Sequence, residues 1–162
     1  MADAAQDQQP QVVFEIQRVY LKDVSWETPN APAIFTKAFK PATNVDLNSA
    51  FKRLAERVYE VDLNLTVTVK SEDETAYLVE LKQSGIFSIS GYPDDQLAQL
   101  LGSYCPNILY PFAREAISDL VVKGGFPQML LAPINFDALY QQHLIERQKA
   151  TENAAAAEST SH

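Results

Sequence analysis

Cysteine is nearly missing from this chain. Cys105 is the only one in 162 residues, so no intrachain disulfide can form and a reducing, cytoplasmic setting is expected. Histidine is almost as scarce, with only His143 and His162, which leaves no His-rich metal cluster and no His-paired nucleophile. Basic residues are outnumbered, 13 Lys and Arg against 21 Asp and Glu, giving a formal charge of −8. That balance argues against nucleic acid as a partner. No apolar run reaches the roughly 18 residues of a membrane span, and Thr66, Thr68 and Lys70 interrupt the best candidate. The opening MADAAQDQQPQ lacks the basic and apolar regions of a signal peptide. What remains is an acidic chain with 46% hydrophobic residues, of a length that suits one domain with one core.

Residues 1–11 are polar with nothing to bury and read as a loose arm; 12–149 form the expected single domain; 150–162 read as a flexible, solvated tail. From Val12 to Trp26 the pattern is β-rich but its alternation slips. Val12, Phe14 and Ile16 share one parity while Val19 and Leu21 take the other, which predicts a bulge near Gln17 or burial on both sides. A second extended stretch, Ile34 to Leu47, is broken at Pro41 and reads as an irregular or edge strand. Residues 48–57 fit a helical turn or a loop equally well. Tyr59, Val61, Leu63, Leu65, Val67 and Val69 then alternate with polar residues, and Tyr77, Val79 and Leu81 resume the alternation after a polar turn, so a hairpin is predicted. Gly85 marks a bulge or a close contact.

Beyond Pro93 the period becomes helical. Asp94 is the expected cap of a helix carrying Leu97, Leu100, Leu101 and Tyr104, which Pro106 should end. Asn107 then caps a second helix through Val121, with Pro111 near its first turn and Gly124 as its stop; Asn135 caps a third, with Phe136, Leu139, Tyr140, His143 and Leu144 on one side. Strands first and helices after predict an α+β domain, an antiparallel sheet covered on one face.

Four short signals are better read as structure than as sites. His143 belongs to a helix face, Cys105 to a packed core, and Gly124-Gly125 to a helix end rather than a phosphate loop. Asn64-Leu65-Thr66 is a glycosylation sequon placed mid-strand. Two features stand out instead. Glu60, Asp62, Glu72, Asp73, Glu74 and Glu80 crowd the hairpin with only Lys70 against them, either as a solvated face or as a docking surface for a basic partner, with Leu78 exposed among them. Apolar and aromatic residues also exceed the core stripes at Trp26, Phe35, Phe39, Tyr110, Phe126 and Tyr140, which fits core packing or a subunit interface. An enzyme or small-ligand binder on an α+β cup would need a buried acid or base, whereas Asp62 and Glu80 fall on the wet parity of their strands.

Four long strings occur in order: FEIQRVYLKDVSWETPNAP (Phe14 to Pro32), GIFSI (Gly85 to Ile89), YCPNILYPFARE (Tyr104 to Glu115) and FPQMLLAPINFDALY (Phe126 to Tyr140). Together they resemble the SecB protein-export chaperone family over nearly the whole stretch from Phe14 to about Leu144. The resemblance implies a four-stranded antiparallel sheet with helices packed on one face, assembled as a homotetrameric dimer of dimers through the helix Tyr110 to Lys123. It implies an ATP-independent holdase, not an enzyme, that binds unfolded secretory preproteins in the cytosol and delivers them to the SecA motor, without cofactor, metal, nucleic acid or direct membrane insertion. It places motor docking on Asp23, Glu27, Leu78 and Glu80, and a client groove on Phe39 (often Trp in relatives), Val45, Leu47, Tyr140 and Leu144. The alanine-rich tail ATENAAAAESTSH departs from the family pattern. A SecB-like adapter for a dedicated client, such as an antitoxin, shares the same fold expectation.

Overall fold

The computed structural model describes residues 11–160, so nearly all of the expected N-terminal arm lies outside the described residues. Strands β1 (Val13–Glu27), β2 (Pro41–Ala55), β3 (Val58–Ser71) and β4 (Glu74–Ser90) form one sheet in the order β1-β4-β3-β2. Every pairing is antiparallel. In β3 the odd-numbered Val61, Leu63, Leu65, Val67 and Val69 are buried while their even-numbered neighbours from Asp62 to Thr68 stay partly wet. The period-two pattern is therefore a sheet with one face in the core.

The slipped parity of β1 has a specific cause. Its register against β4 shifts at Gln17 and again at Lys22, so each bulge moves the inward-facing set by one residue. Phe14 and Ile16, then Val19 and Leu21, then Val24 and Trp26 all lie opposite inner-face residues of β4, from Ile89 to Val79. The first bulge stands where the alternation predicts it; the second restores the original parity. Both apolar groups thus point to one side, and the alternative of two-sided burial is not what the chain does.

Strand β2 corrects the expectation for residues 34–57. Ile34 is not in a strand: it belongs to a short 3-10 turn, Ala33–Thr36, and is buried in the core. The strand starts at Pro41, where the missing N–H costs least, and runs through the undecided stretch to Ala55. It pairs with β3 from Pro41 to Ala55, so tertiary pairing overrides the weak local signal of residues 48–55.

The helices are also joined differently. Helix α1 (Asp94–Gln99) passes through a π-turn, Leu100–Tyr104, directly into α2 (Cys105–Lys123). Pro106 does not end the first helix. The widened turn, in which the Cys105 N–H donates to the Leu100 carbonyl, accommodates a residue with no N–H of its own, and Asn107 is interior rather than a cap. Pro111 is likewise inside α2, and Asp94 is the first helical residue rather than the cap. Leu109, Ala113, Ile117 and Val121 of α2 press on β3 and β4 and are fully buried. Gly85 allows this approach: a Cβ there would lie 2.8 Å from the Phe87 ring and 3.0 Å from Leu109, so its role is close contact and not a bulge. At the far end of α2, Gly124 abuts Trp26, whose ring would sit 2.0 Å from a Cβ.

Helix α3 (Phe136–Ser159) is capped as expected, the Asn135 side chain accepting the Ala138 N–H at 3.0 Å. It does not give way to coil at residue 150. Ala150 to Ser159 continue the helix, exposed throughout, because alanine and glutamate favour helix even without packing.

Candidate functional site

Two surfaces hold the expected site residues, one on each face of the sheet. On the outer face, away from the helices, Asp23 lies opposite Lys82, Ser25 opposite Glu80, and Glu27 opposite Leu78. The bulge at Lys22 puts Asp23, Ser25 and Glu27 on the same side as Leu78 and Glu80. The structure thus brings Asp23, Glu27, Leu78 and Glu80 into one patch at the β1–β4 corner, with Leu78 half-buried and the three acids exposed. Among the described residues these three acids have no ion-pair partner.

Four of the five other hairpin acids behave differently, which corrects the picture of six acids opposed only by Lys70. Glu60 is nearly buried between Lys22, at 2.8 Å, and Lys52, at 3.6 Å, and accepts the Tyr20 hydroxyl. Asp62 lies 3.6 Å from Lys22 and accepts from the buried Ser84 hydroxyl. Glu74 pairs with Lys37 and Glu72 with Lys40. Hydrogen bonds from Lys22 and Tyr20 hold the Glu60 carboxyl below the usual carboxylate range. Burial, reinforced by the adjacent Glu60, pushes the Tyr20 hydroxyl up to about 12. The bases come from β1 (Lys22), from β2 (Lys52) and from the segment that joins them (Lys37, Lys40), all distant in sequence from the hairpin, so the hairpin's own residues do not reveal them. Among the described residues, the hairpin acids left without an ion pair are Asp73, at the turn, and Glu80, in the corner patch.

On the inner face α2 covers β4 and β3 but leaves β2 open. Val45 and Leu47 lie opposite the buried Val67 and Leu65 and point to the same side, yet Val45 is exposed and Leu47 only half-buried. Phe51, opposite Val61, continues the row and is 54% exposed. It lines a cleft of about 530 Å³ with Tyr140, His143 and Leu144 of α3. Phe51 escaped sequence reading because residues 48–57 carried no decisive pattern; its signal was the parity it shares with Val45 and Leu47. Tyr140 reaches its place because Gly102 in the π-turn has no side chain, a Cβ there falling 2.8 Å from the ring.

Phe39 is not in that cleft. It packs at 5.7 Å on Phe126, in an aromatic group with Phe35, Tyr77 and Trp26 at the other end of β2. The five expected groove residues therefore form two ends, Phe39 and the pair Tyr140–Leu144, joined by the open row Val45–Leu47–Phe51. Among the described residues no catalytic constellation accompanies them. Cys105 is fully buried, its thiol pushed up to about 12 by desolvation, and His143 sits exposed, 3.9 Å from Glu146. Among the described residues no cluster of His, Cys, Asp or Glu is arranged to hold a metal, and no helix is long and apolar enough to cross a membrane.

Residues 5–147 match the SecB family, preprotein translocase subunit SecB. The chain belongs to the SecB family. It is 57% identical to the protein-export protein SecB of Methylococcus capsulatus over 149 residues, 92% of this chain and 96% of that protein. Against the SecB of Nitrosococcus oceani it is 56% identical over 146 residues, 89% of each. Among solved structures, a Mycobacterium tuberculosis SecB-like chaperone in complex with a peptide from the HigA1 antitoxin has the same fold. The TM-score is 0.63 at 14% identity, over 75% of this chain and 90% of that one. The chain is accordingly a protein-export chaperone, and the SecB-like α+β fold is the one its sequence resembles.

Proposed function

We propose that this SecB protein acts as an ATP-independent holdase, catching unfolded secretory preproteins along the open inner face of β2 and passing them to SecA through the outer-face corner. The observation that carries the first half is the uncovered apolar row Val45–Leu47–Phe51, which opens into the 530 Å³ cleft beside Tyr140 and Leu144. A folded secretory protein hides the side chains such a row would bind, so selection is by folding rate: slow folders expose them long enough. Each apolar side chain buried contributes roughly 1.5–3 kcal/mol, and ordering a flexible client takes back much of it. Useful affinity then comes from several grooves holding one chain at once.

A homotetramer supplies those grooves. Two apolar surfaces left open by the single chain support assembly: Phe112 and Val122 on the outer side of α2, and Ile16, Leu21 and Val24 along β1. The corner patch supplies the second half of the proposal, because an apolar contact at Leu78 ringed by unpaired acids suits a basic partner, which we take to be SecA. Binding of this kind uses no bond-making step, and the site of action is the cytoplasm. The adapter alternative shares only a fold at 14% identity, whereas the Methylococcus and Nitrosococcus relatives, at 57% and 56%, are export proteins.

The test is refolding of a denatured secretory precursor in the absence of nucleotide. A molar excess of tetramer should slow refolding and suppress aggregation, by mass action on the unfolded form. Unchanged kinetics would remove the holdase reading.

A further inference from the structure

The β1–β4 ladder ends at the pair Glu27–Leu78, which is also the edge of the corner patch. Two side chains take over where the ladder stops. The Thr28 hydroxyl donates to the Ala76 carbonyl at 2.9 Å, and the Asn30 amide donates to the Thr75 carbonyl, also at 2.9 Å. Both residues are half-buried. The same short segment is tied from its other side: the Asn30 carbonyl accepts the Ile34 N–H at 2.9 Å, and Ile34 is a core residue. Among the described residues no strand lies on the outer side of β1, and such strand ends fray when their bonds are few.

We infer that Thr28 and Asn30 are positioning residues for motor docking, a reading that rests on the proposed role of the corner patch. By extending the ladder with side-chain bonds they keep Glu27 opposite Leu78, so that the apolar contact and the charges are presented as one fixed surface. Neither residue is charged. Their loss leaves the field of the patch intact but lets its edge move, so encounter with a basic partner is unaffected while the bound state is held less firmly.

The experiment measures association and dissociation rates of purified SecA on full-length protein at several salt concentrations. Thr28→Val, which keeps the shape and removes the donor, and Asn30→Ala should each raise the dissociation rate roughly fivefold, the worth of about one net hydrogen bond. The association rate and its salt slope should stay at wild-type values, capture of an unfolded precursor should not change, and Thr28→Ser should restore slow dissociation. Glu80→Lys serves as the contrast, since it should lower the association rate and flatten the salt slope. Wild-type dissociation in both clip variants, with Glu80→Lys impaired, overturns this inference alone. So does a loss of SecA binding that comes with an equal loss of precursor capture, which marks general destabilisation. Wild-type binding by Glu80→Lys removes the docking reading and this inference with it.

Discussion

A leucine among carboxylates is the residue-scale signature of the outer face. Leu78 is half-buried beside Glu27 and Glu80, which have no ion pair among the described residues, whereas Glu60 on the adjacent strand β3 is fully engaged. Two predictions separate these roles. Leu78→Arg should abolish SecA binding by calorimetry while leaving urea unfolding within about 0.5 kcal/mol of wild type, as expected of a surface change. Glu60→Gln should do the reverse, lowering stability by about 1 kcal/mol through the loss of charge-assisted hydrogen bonds and leaving SecA binding intact. The pH dependence follows from the depressed Glu60 carboxyl, held down by Lys22 and Tyr20. Its folded value lies below its unfolded one, so its contribution is complete above the ordinary value of 4.5 and disappears as acid titrates the folded carboxylate. Urea titrations from pH 7 downward should show a stability gap between wild type and Glu60→Gln that closes only below that value. At this scale family resemblance supplied the four proposed docking residues, but the sequence did not show which acids were already neutralised. Partners such as Lys22 and Lys52 lie on other strands, and only the fold makes them neighbours.

Elements meet at two glycines whose tertiary contacts no local pattern shows. Gly124 closes α2 against Trp26, the only tryptophan, and Gly102 lets α3 seat Tyr140 on the π-turn. Gly124→Ala should cost about 1–3 kcal/mol by overpacking, read by denaturant unfolding with Trp26 fluorescence as the probe. Because α2 is already terminating at that point, gained helix propensity cannot offset the clash. The open row on β2 gives the matching functional prediction. Phe51→Ala with Tyr140→Ala should weaken precursor binding roughly tenfold or more, from two lost apolar contacts, without changing the far-ultraviolet circular dichroism. Unchanged affinity in that double variant would place the client elsewhere. Strands β3 and β4 were legible because strict alternation has one reading. Residues 48–55 were not, since Asn-Ser-Ala-Phe-Lys-Arg-Leu-Ala suits several local structures until β3 pairs with it.

At the scale of the whole molecule, some apolar residues hold the chain together and others are left open for the proposed assembly. Ile117 is fully buried against the sheet, while Ala116 is half-buried and Phe112 half-exposed on the other flank of α2. A charge placed in the first should act differently from charges in the others. Ile117→Asp is expected to give insoluble or unfolded chain, because an unpaired carboxylate in a core is strongly unfavourable. Phe112→Asp should give folded protein of lower mass, measured by light scattering and circular dichroism together. An unchanged mass in Phe112→Asp would exclude that flank of α2 from the proposed assembly.

By itself the sequence determined the fold class, the hairpin at the centre of the sheet, the capped start of α3 and, through four long strings, the family. Those features depend on residues close together in the chain or on strings long enough to be specific. Only the tertiary structure decided that two bulges bring both apolar sets of β1 to one face, that a π-turn carries the helix through Pro106, and that Phe51 lines a cleft with Tyr140 and Leu144 while Phe39 packs on Phe126 at the other end of β2. Each of those depends on what packs across from the residue: a strand's facing side is fixed by its register with a neighbour, and a proline or glycine by the space around it. A linear chain carries that information only in its pairings, and the pairings exist once it has folded.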